Sequence, residues 1–193
     1  MKTITISREY GAGGHTIGEK VAEALGIEMY DKDIIRKTAE ATGLDYANVK
    51  KNEEVVSRSE NIWRRIAPVS YEPKDYLFEA QKKVILDLVA KGPCVIVGRC
   101  AEVILKEAGV DSLNVFLYAS DEFRSAWVAT QLDEKHKDEA LRVMHRQDRA
   151  RRAYYELYTD AVFGERHNYQ LMLDSGALGY DKCIQMILDA AKE

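Results

Sequence analysis

The chain has 193 residues, of which 46% are hydrophobic and 31% are charged. This composition is typical of a globular domain whose core is large enough to need no disulfide or metal for stability. The formal net charge of −4 argues against a general binder of nucleic-acid polymers or anionic membranes, because an acidic surface is repelled by both.

The cysteines and the lengths of the apolar runs indicate the cellular compartment and whether the chain spans a membrane. Cys94, Cys100 and Cys183 are too widely spaced for a zinc motif and do not form the even set of a disulfide framework. We therefore expect reduced thiols in a cytoplasmic protein. The sequence contains no run of about 18 apolar residues, so we expect no transmembrane helix.

The N-terminal segment predicts a strand, a glycine-rich loop and a helix in succession. Residues 3–7 alternate as a short strand, residues 11–14 supply three glycines, and apolar residues recur at helical spacing over 17–25. A second short strand is predicted at 27–30. A further helix is predicted to begin at Asp31 and to end near residue 43.

The rest of the chain alternates helices with buried strands. A polar helical stretch is predicted over 45–65, and an amphipathic helix over 77–88. Three apolar runs predict strands that are buried on both faces, at 94–97, 113–118 and 170–173. A helix that is polar nearly all round is predicted over 133–158, and an apolar stripe from residue 180 predicts a closing helix. This order indicates an α/β fold with a parallel sheet, which we expect to have five strands.

The glycine-rich loop predicts a phosphate-binding site. Its backbone N–H groups and the positive end of the following helix would form a cradle for anions. Thr16 falls in the first turn of that helix, where a hydroxyl can ligate Mg²⁺. The alternative is a tight turn that binds no ligand. We call residues 7–16 the phosphate loop.

The phosphate loop departs from the usual pattern of G-x-x-x-x-G-K-[ST], because it lacks both the opening glycine and the lysine. Losing that point charge would cost roughly 10²–10³ in rate, by analogy with the removal of one oxyanion donor. Arg8 and His15 are the candidate replacement cations.

Several arginines lie where phosphates would bind, and arginine suits this because its planar fork binds two phosphate oxygens at once. Arg99 directly follows the run 94–97, at the strand end where α/β sheets bind ligands, although a salt bridge capping the sheet is the alternative. Arg36 is either a phosphate ligand or a solvated helix charge. Asp31 is a helix N-cap, a residue of the acceptor site, or both.

A second group of arginines occupies the polar helix. Such a run is usually a solvated face, but here it stands out in an acidic chain and predicts a lid that closes over phosphates. Arg124 closely follows the strand 113–118 and either faces the site or takes a solvent-facing helix position, of which we favour the second. The arginines of the polar helix are Arg142, Arg146, Arg149, Arg151 and Arg152.

Four segments, spread over most of the chain, carry a family resemblance. They are Ile6-Ser7-Arg8-Glu9-Tyr10-Gly11-Ala12-Gly13-Gly14, Tyr30-Asp31-Lys32-Asp33-Ile34-Ile35-Arg36, Val95-Ile96-Val97-Gly98-Arg99-Cys100 and Asp148-Arg149-Ala150-Arg151. In these segments the chain resembles the cytidylate kinase-like family, a divergent branch of the nucleoside monophosphate kinases that also lacks the lysine. The Thr-Gly pair that true cytidylate kinases carry after the aspartate is absent, and Cys100 replaces the aspartate of their Gly-Arg-Asp segment.

The resemblance implies a P-loop, three-layer α/β/α fold in a single domain. The core would comprise about 1–44, 76–130 and 165–193, with a helical acceptor region at about 45–75 and a lid helix at about 133–160. It also implies ATP-dependent phosphoryl transfer to a nucleoside monophosphate, with a cytidylate-like acceptor and with ATP and Mg²⁺ as cofactors.

The resemblance further implies roles for individual residues. The loop residues would cradle ATP, and Thr16 would also hold Mg²⁺. The acceptor would be bound by Asp31, Arg36 and Arg99. The transferring group would be stabilised by Arg8, Arg149 and Arg151. The loop residues are Gly11, Ala12, Gly13, Gly14, His15 and Thr16.

Two other functions stay open at this stage. The missing lysine and Cys100 favour a nucleotide- or phosphoester-binding regulator without catalysis. The mismatch after Asp31 favours a kinase for a different small phosphorylated acceptor. In each case we expect a small phosphorylated partner, with no nucleic-acid polymer and no membrane, and a homodimer is left open.

Overall fold

The computed structural model describes residues 1–31 and 73–192, together with positions 34, 36, 37 and 40. Side chains are described in these ranges except at 73–76, 134, 135 and 137. The helical stretch predicted over 45–65 lies outside the described residues, as does most of the predicted acceptor region. Of the helix predicted to follow Asp31, the four described positions are helical.

The described strands and helices alternate along the chain. The strands are β1 (Thr3–Arg8), β2 (Glu28–Tyr30), β3 (Cys94–Val97), β4 (Ser112–Tyr118) and β5 (Leu171–Asp174). The helices with described bounds are α1 (Gly14–Leu25), α2 (Pro73–Val89), α3 (Ala101–Glu107), α4 (Asp121–Thr130), α5 (Ala140–Tyr158), α6 (Ser175–Leu178) and α7 (Tyr180–Ala190). Short 3₁₀ turns occupy Glu134–Glu139 and Arg166–Asn168.

The five strands form one parallel sheet in the order β2-β3-β1-β4-β5. This confirms the predicted α/β class and the predicted number of strands. All four residues of β3 are buried, because helices cover both faces of the sheet and leave no polar side to a central strand.

Two apolar clusters lie on opposite faces of the sheet. On one face, α1 and α7 pack through residues such as Ile17 and Ile187. On the other face, α2 and α3 pack through Ile85 and Ile104, and Tyr155 of α5 joins them. The three-layer α/β/α arrangement that the family resemblance implies is therefore confirmed.

The three cysteines of the chain, Cys94, Cys100 and Cys183, are all buried, and none of them takes part in a disulfide. No helix in the described ranges is both long and apolar enough to span a bilayer.

The strand order places β1 at a switch point of the sheet. In the sheet, β2 and β3 lie on one side of β1, whereas β4 and β5, which come later in the chain, lie on its other side. At such a point the connections diverge and leave a crevice outside the carboxyl ends of the strands, which is where α/β sheets bind ligands. The phosphate loop follows β1 directly and therefore borders this crevice.

Candidate functional site

The phosphate loop ends at the N-terminus of α1. Gly13, the residue before the helix, has φ 80°, which lies in the left-handed region that favours glycine. No side chain caps this N-terminus. The N–H groups of the first turn have no intrahelical partners and carry the positive end of the helix dipole. The residues present therefore fit an anion such as a phosphate group.

The loop is held by hydrogen bonds from neighbouring strands and helices. The Glu9 N–H donates to the Leu117 carbonyl over 3.0 Å. The Ser175 hydroxyl donates to the Ala12 carbonyl over 2.9 Å. The Tyr180 ring packs against Gly13, where a Cβ atom would come within 2.6 Å of its hydroxyl oxygen. These contacts fix the loop before any ligand binds, which lowers the entropy lost on binding.

The side chain of Arg8 crosses the front of the phosphate loop. It lies over Gly14, where a Cβ atom would come within 2.7 Å of its Cγ, and its guanidinium group reaches Gly98 at the end of β3. Its Nη2 lies 3.6 Å from Oδ1 of Asp31. Burial lowers the pKa of Arg8; Asp31 opposes this shift, and the nearby charge of Arg99 adds to it. The structure thus places Arg8 between the loop and the predicted acceptor side of the crevice.

Asp31 connects Arg8 with the first turn of α1. Its Oδ2 lies 3.0 Å from Nδ1 of His15, and the carboxylate is largely buried. The His15 ring itself is more than half exposed. A carboxylate held by two cationic or donor groups keeps a defined position, so Asp31 is able to orient a ligand in the crevice.

Arg99 owes its position to an unusual turn after β3. Arg99 and Cys100 have φ values of 68° and 55°, which are uncommon for residues other than glycine. The turn is supported by Gln81 Nε2, which donates to the Arg99 carbonyl over 3.3 Å. Backbone strain of this kind is often found at functional sites. Here the turn brings Arg99 close enough to influence the pKa of Arg8.

Arg151 approaches the same place from α5. Its Nη1 donates to the Arg8 carbonyl over 3.1 Å, and its guanidinium lies 5.1 Å from the centroid of the Tyr10 ring. Burial lowers the pKa of Arg151, and the charge of Arg8 lowers it further. Arg8 thus lies near both Arg99 and Arg151, and a bound anion would relieve the repulsion that Arg8 exerts on Arg151 and receives from Arg99.

Three other predicted site residues, Thr16, Arg36 and Arg149, have exposed side chains. The Arg36 side chain is 55% exposed and pairs with Glu40, with Nη1 2.9 Å from Oε1. Arg149 is exposed on α5, and Thr16 is exposed in the first turn of α1. Because successive residues of a helix point in different directions, α5 aims Arg151 inward and leaves Arg149 outside.

The prediction that Arg124 faces solvent was wrong. Arg124 is only 5% exposed, and its Nη1 donates to the Tyr10 carbonyl over 3.2 Å. The reason is the start of α4: the Ser120 hydroxyl caps this helix two residues after β4 ends, so its fourth residue turns back over the phosphate loop. The Ser-Asp-Glu pattern at 120–122 is a sequence signal for this helix start.

The burial of Gln81 and Glu102 near the site was not predicted from the sequence. Gln81 occupies the apolar stripe of α2 together with Phe78, Ile85 and Leu88, and all four side chains are buried. Glu102 lies among apolar residues of α3 and is 2% exposed. A polar residue on an apolar helix face was the signal available in both cases, because such a group needs an internal partner.

The Glu102 carboxyl, on α3, links the end of β1 to Tyr169 through hydrogen bonds. Its Oε1 accepts hydrogen bonds from the Ser7 hydroxyl over 2.9 Å and from the Tyr169 hydroxyl over 3.0 Å. Burial raises the pKa of Glu102 because the charged form loses its hydration. Burial also raises the pKa of Tyr155 on α5, and the charge of Glu102 adds to this shift. Ser7 precedes Arg8, so this cluster lies directly beneath the site.

We expect Glu102→Gln to remove a pH-dependent loss of stability. The folded-state pKa of Glu102 is raised, so its stabilising contribution is fully present below the unfolded pKa and is lost as the pH rises through the folded pKa. From about pH 4 upward, the free energy of unfolding of the wild type should fall relative to the variant, by about 1.4 kcal/mol per pH unit until the pH passes the raised pKa of Glu102.

Denaturant unfolding of both proteins across this pH range measures the effect. Glu19→Gln, at an exposed position of α1, is the control and should show no comparable trend. A stability difference between wild type and Glu102→Gln that does not change with pH would contradict the raised pKa.

The chain is similar to known proteins in both sequence and structure. A model of the family described as cytidylate kinase-like matches residues 3–177. An uncharacterized protein from Eubacterium ventriosum has a similar structure, with a TM-score of 0.73 at 22% identity over 100% of this chain and 99% of that chain. No curated protein matches the chain significantly.

Two kinases of known structure are more distantly similar. Shikimate kinase from Acinetobacter baumannii, in complex with shikimate, has a TM-score of 0.53 at 17% identity, over 99% of this chain and 93% of that chain. An APS kinase from Mycobacterium tuberculosis, in complex with AMPPNP and APS, has a TM-score of 0.50 at 15% identity, over 100% of this chain and 99% of that chain. At these identities the similarity establishes the shared fold.

Proposed function

Because the chain belongs to the cytidylate kinase-like family, we propose that it transfers the γ-phosphoryl group of ATP to a nucleoside monophosphate, with a cytidylate-like acceptor. The observation that carries the proposal is the position of Arg8 over Gly14 at the N-terminus of α1, with Arg151 bound to the Arg8 carbonyl and Arg99 near Arg8. Phosphoryl transfer needs mainly positioning and cations around spreading negative charge, and this cluster supplies both.

On the donor side, the backbone of Gly11–Thr16 would hold the ATP phosphates. The uncapped N-terminus of α1 provides the N–H groups and the favourable dipole. Arg8 would supply the cation that lysine supplies in other phosphate loops, because its guanidinium lies across the front of this loop. Thr16 would hold Mg²⁺ through its exposed hydroxyl, and the metal would neutralise charge on the phosphates when bound.

On the acceptor side, Arg99 would bind the acceptor phosphate and Asp31 would orient the acceptor. Arg36 would join them when phosphate replaces Glu40 as its partner. Arg151 would stabilise the transferring group from α5. Arg149 would reach the phosphates through a movement of this helix, which we propose acts as a lid that excludes water.

A second candidate acceptor is a small phosphorylated molecule that reacts through a hydroxyl group. Asp31 favours it, because its buried carboxylate in the crevice is placed to accept a hydroxyl proton. The structurally similar APS kinase holds APS, which carries a phosphate group. A nucleoside monophosphate needs no such base, because its phosphate oxygen is already anionic.

The test is transfer from ATP and Mg²⁺ to a panel of CMP, dCMP, UMP, AMP and GMP, with diphosphate products resolved by chromatography. Transfer to CMP or UMP supports the proposal. ATP binding without any turnover favours a regulator, and turnover only with non-nucleotide phosphorylated hydroxyl acceptors favours the second candidate.

Arg99→Met tests the acceptor side of the proposal. A hydrogen-bonded guanidinium contributes about 10–100-fold to binding, so we expect the KM for the monophosphate to rise by about that factor. Arg142→Met is the matched control, because Arg142 is exposed on α5 and pairs with Glu139 at 2.9 Å, away from the crevice. Equal KM values for the two variants would remove Arg99 from the acceptor site.

A further inference from the structure

The peptide groups of Tyr10 are held by two side chains from different helices. The Tyr10 N–H donates to Oδ1 of Asp148, on α5, over 2.6 Å. The Tyr10 carbonyl accepts from Nη1 of Arg124, on α4, over 3.2 Å. Arg124 Nη1 also donates to Oδ2 of Asp148 over 2.5 Å, so the two side chains close a ring around one backbone residue.

Arg124 makes further contacts around the phosphate loop. Its Nε donates to the Ala119 carbonyl over 3.0 Å, and its Nη2 donates to Oδ1 of Asp121 over 2.8 Å. The backbone of α4 also touches the loop, since a Cβ atom at Gly11 would come within 2.9 Å of the Arg124 carbonyl oxygen. A nearly buried guanidinium with this many partners is rigid, and it transmits that rigidity to the loop.

Asp148 and Arg151 act on the loop from the same face of α5, because residues three apart on a helix are neighbours. Asp148 binds the backbone of Tyr10, while Arg151 binds the Arg8 carbonyl and lies over the Tyr10 ring. The position of the Arg151 guanidinium therefore depends on how closely Asp148 holds α5 to the loop.

We propose that Arg124 and Asp148 are positioning residues, a pair that sets the conformation of the phosphate loop at Tyr10 and places Arg151 for phosphoryl transfer. This rests on the proposed function for its catalytic consequence. Both side chains bind the Tyr10 backbone and each other. Both polar groups of the Tyr10 backbone form hydrogen bonds with this pair. The backbone N–H groups that would bind phosphate therefore begin at Gly11.

The first test is residue-resolved hydrogen exchange of the Tyr10 amide by NMR. Asp148→Ala removes both the acceptor of this N–H and the partner of Arg124. A hydrogen bond to a charged group contributes about 10–100-fold, so exchange should accelerate by about that factor. Asp148→Asn keeps an acceptor oxygen but loses the charge, and should have a smaller effect. It also serves as the foldable variant if Asp148→Ala does not fold.

Asp121→Ala is the matched control. Asp121 pairs with the same guanidinium of Arg124 from three residues away on the same helix, and with Nε2 of His145 on α5 over 2.8 Å, but neither contact involves the Tyr10 backbone. Its loss should leave exchange of the Tyr10 amide near the wild-type rate. If Asp148→Ala and Asp121→Ala accelerate this exchange equally, the pair does not position the loop and the proposal is overturned.

The second test separates positioning from mere stability. Affinity for ADP, measured by calorimetry below the unfolding temperature of each variant, should fall about tenfold or more in Asp148→Ala, with a smaller fall in Asp148→Asn. Unchanged ADP affinity despite faster loop exchange would overturn the assigned role. A wild type that binds ADP but transfers no phosphoryl group would contradict the proposed function, while the exchange and binding results would still decide the role of the pair.

Discussion

Replacing Arg8 by methionine is expected to lower kcat for phosphoryl transfer by about 10²–10³, in line with the removal of one donor from a preorganised anion site. Methionine keeps much of the length of the side chain that packs over Gly14 but removes the charge. The effect should be larger on kcat than on the KM for ATP, because the cation would act most strongly on the charge that develops during transfer.

Steady-state kinetics with ATP and the best acceptor measures this prediction. Arg8→Lys is expected to recover part of the rate, since it restores a point charge without the planar fork. Lys20→Met is the control, because Lys20 pairs with Glu23 on the exposed side of α1. If Arg8→Met keeps wild-type turnover and nucleotide affinity, Arg8 is not the substitute for the missing lysine.

Gly98→Ala is expected to lower kcat by about 10², although it adds only one methyl group. A Cβ atom at Gly98 would collide with Nη1 of Arg8, so the guanidinium would have to leave its position. The backbone at Gly98 has φ 76°, which adds a cost of about 1 kcal/mol to stability for any residue with a side chain.

Gly109→Ala separates these two effects. Gly109 has a similar φ of 70°, but a Cβ atom there would have no atom within 4 Å. The Gly109→Ala variant should therefore lose about as much stability as Gly98→Ala and keep its activity. The double variant Arg8→Met/Gly98→Ala should be no slower than Arg8→Met, because both changes remove the same group. If Gly98→Ala and Gly109→Ala lose activity equally, the loss at Gly98 comes from strain in its backbone and not from displacement of Arg8.

The sheet was predictable because its strands have simple local signals. The apolar run at 94–97 coincides with β3, and the runs at 113–118 and 170–173 differ from β4 and β5 by one residue at their ends. A strand buried on both faces must be apolar throughout, so a short apolar run between turn residues identifies it. The alternation of strands with helices then leaves the parallel α/β class as the expected solution.

The site was only partly predictable. The glycines of the phosphate loop and the place of Arg99 after β3 follow from spacing along the chain. The burial of Arg124 and Glu102 does not, because hydropathy alone assigns charged residues to the surface. Both side chains are buried because distant segments supply their partners: Asp148 lies 24 residues from Arg124, and Tyr169 lies 67 residues from Glu102.

The sequence by itself determined the class of fold, the order of its strands and helices, and the location of a glycine-rich loop before α1. These properties depend on local periodicity and on glycine, which act over a few residues. The tertiary structure decided which charged groups meet at the loop: it brought Arg8, Arg99 and Arg151 together and left Arg36 paired with Glu40. The physical reason is that the direction of a long charged side chain depends on the packing of the helix or turn that carries it and on partners far away in the chain.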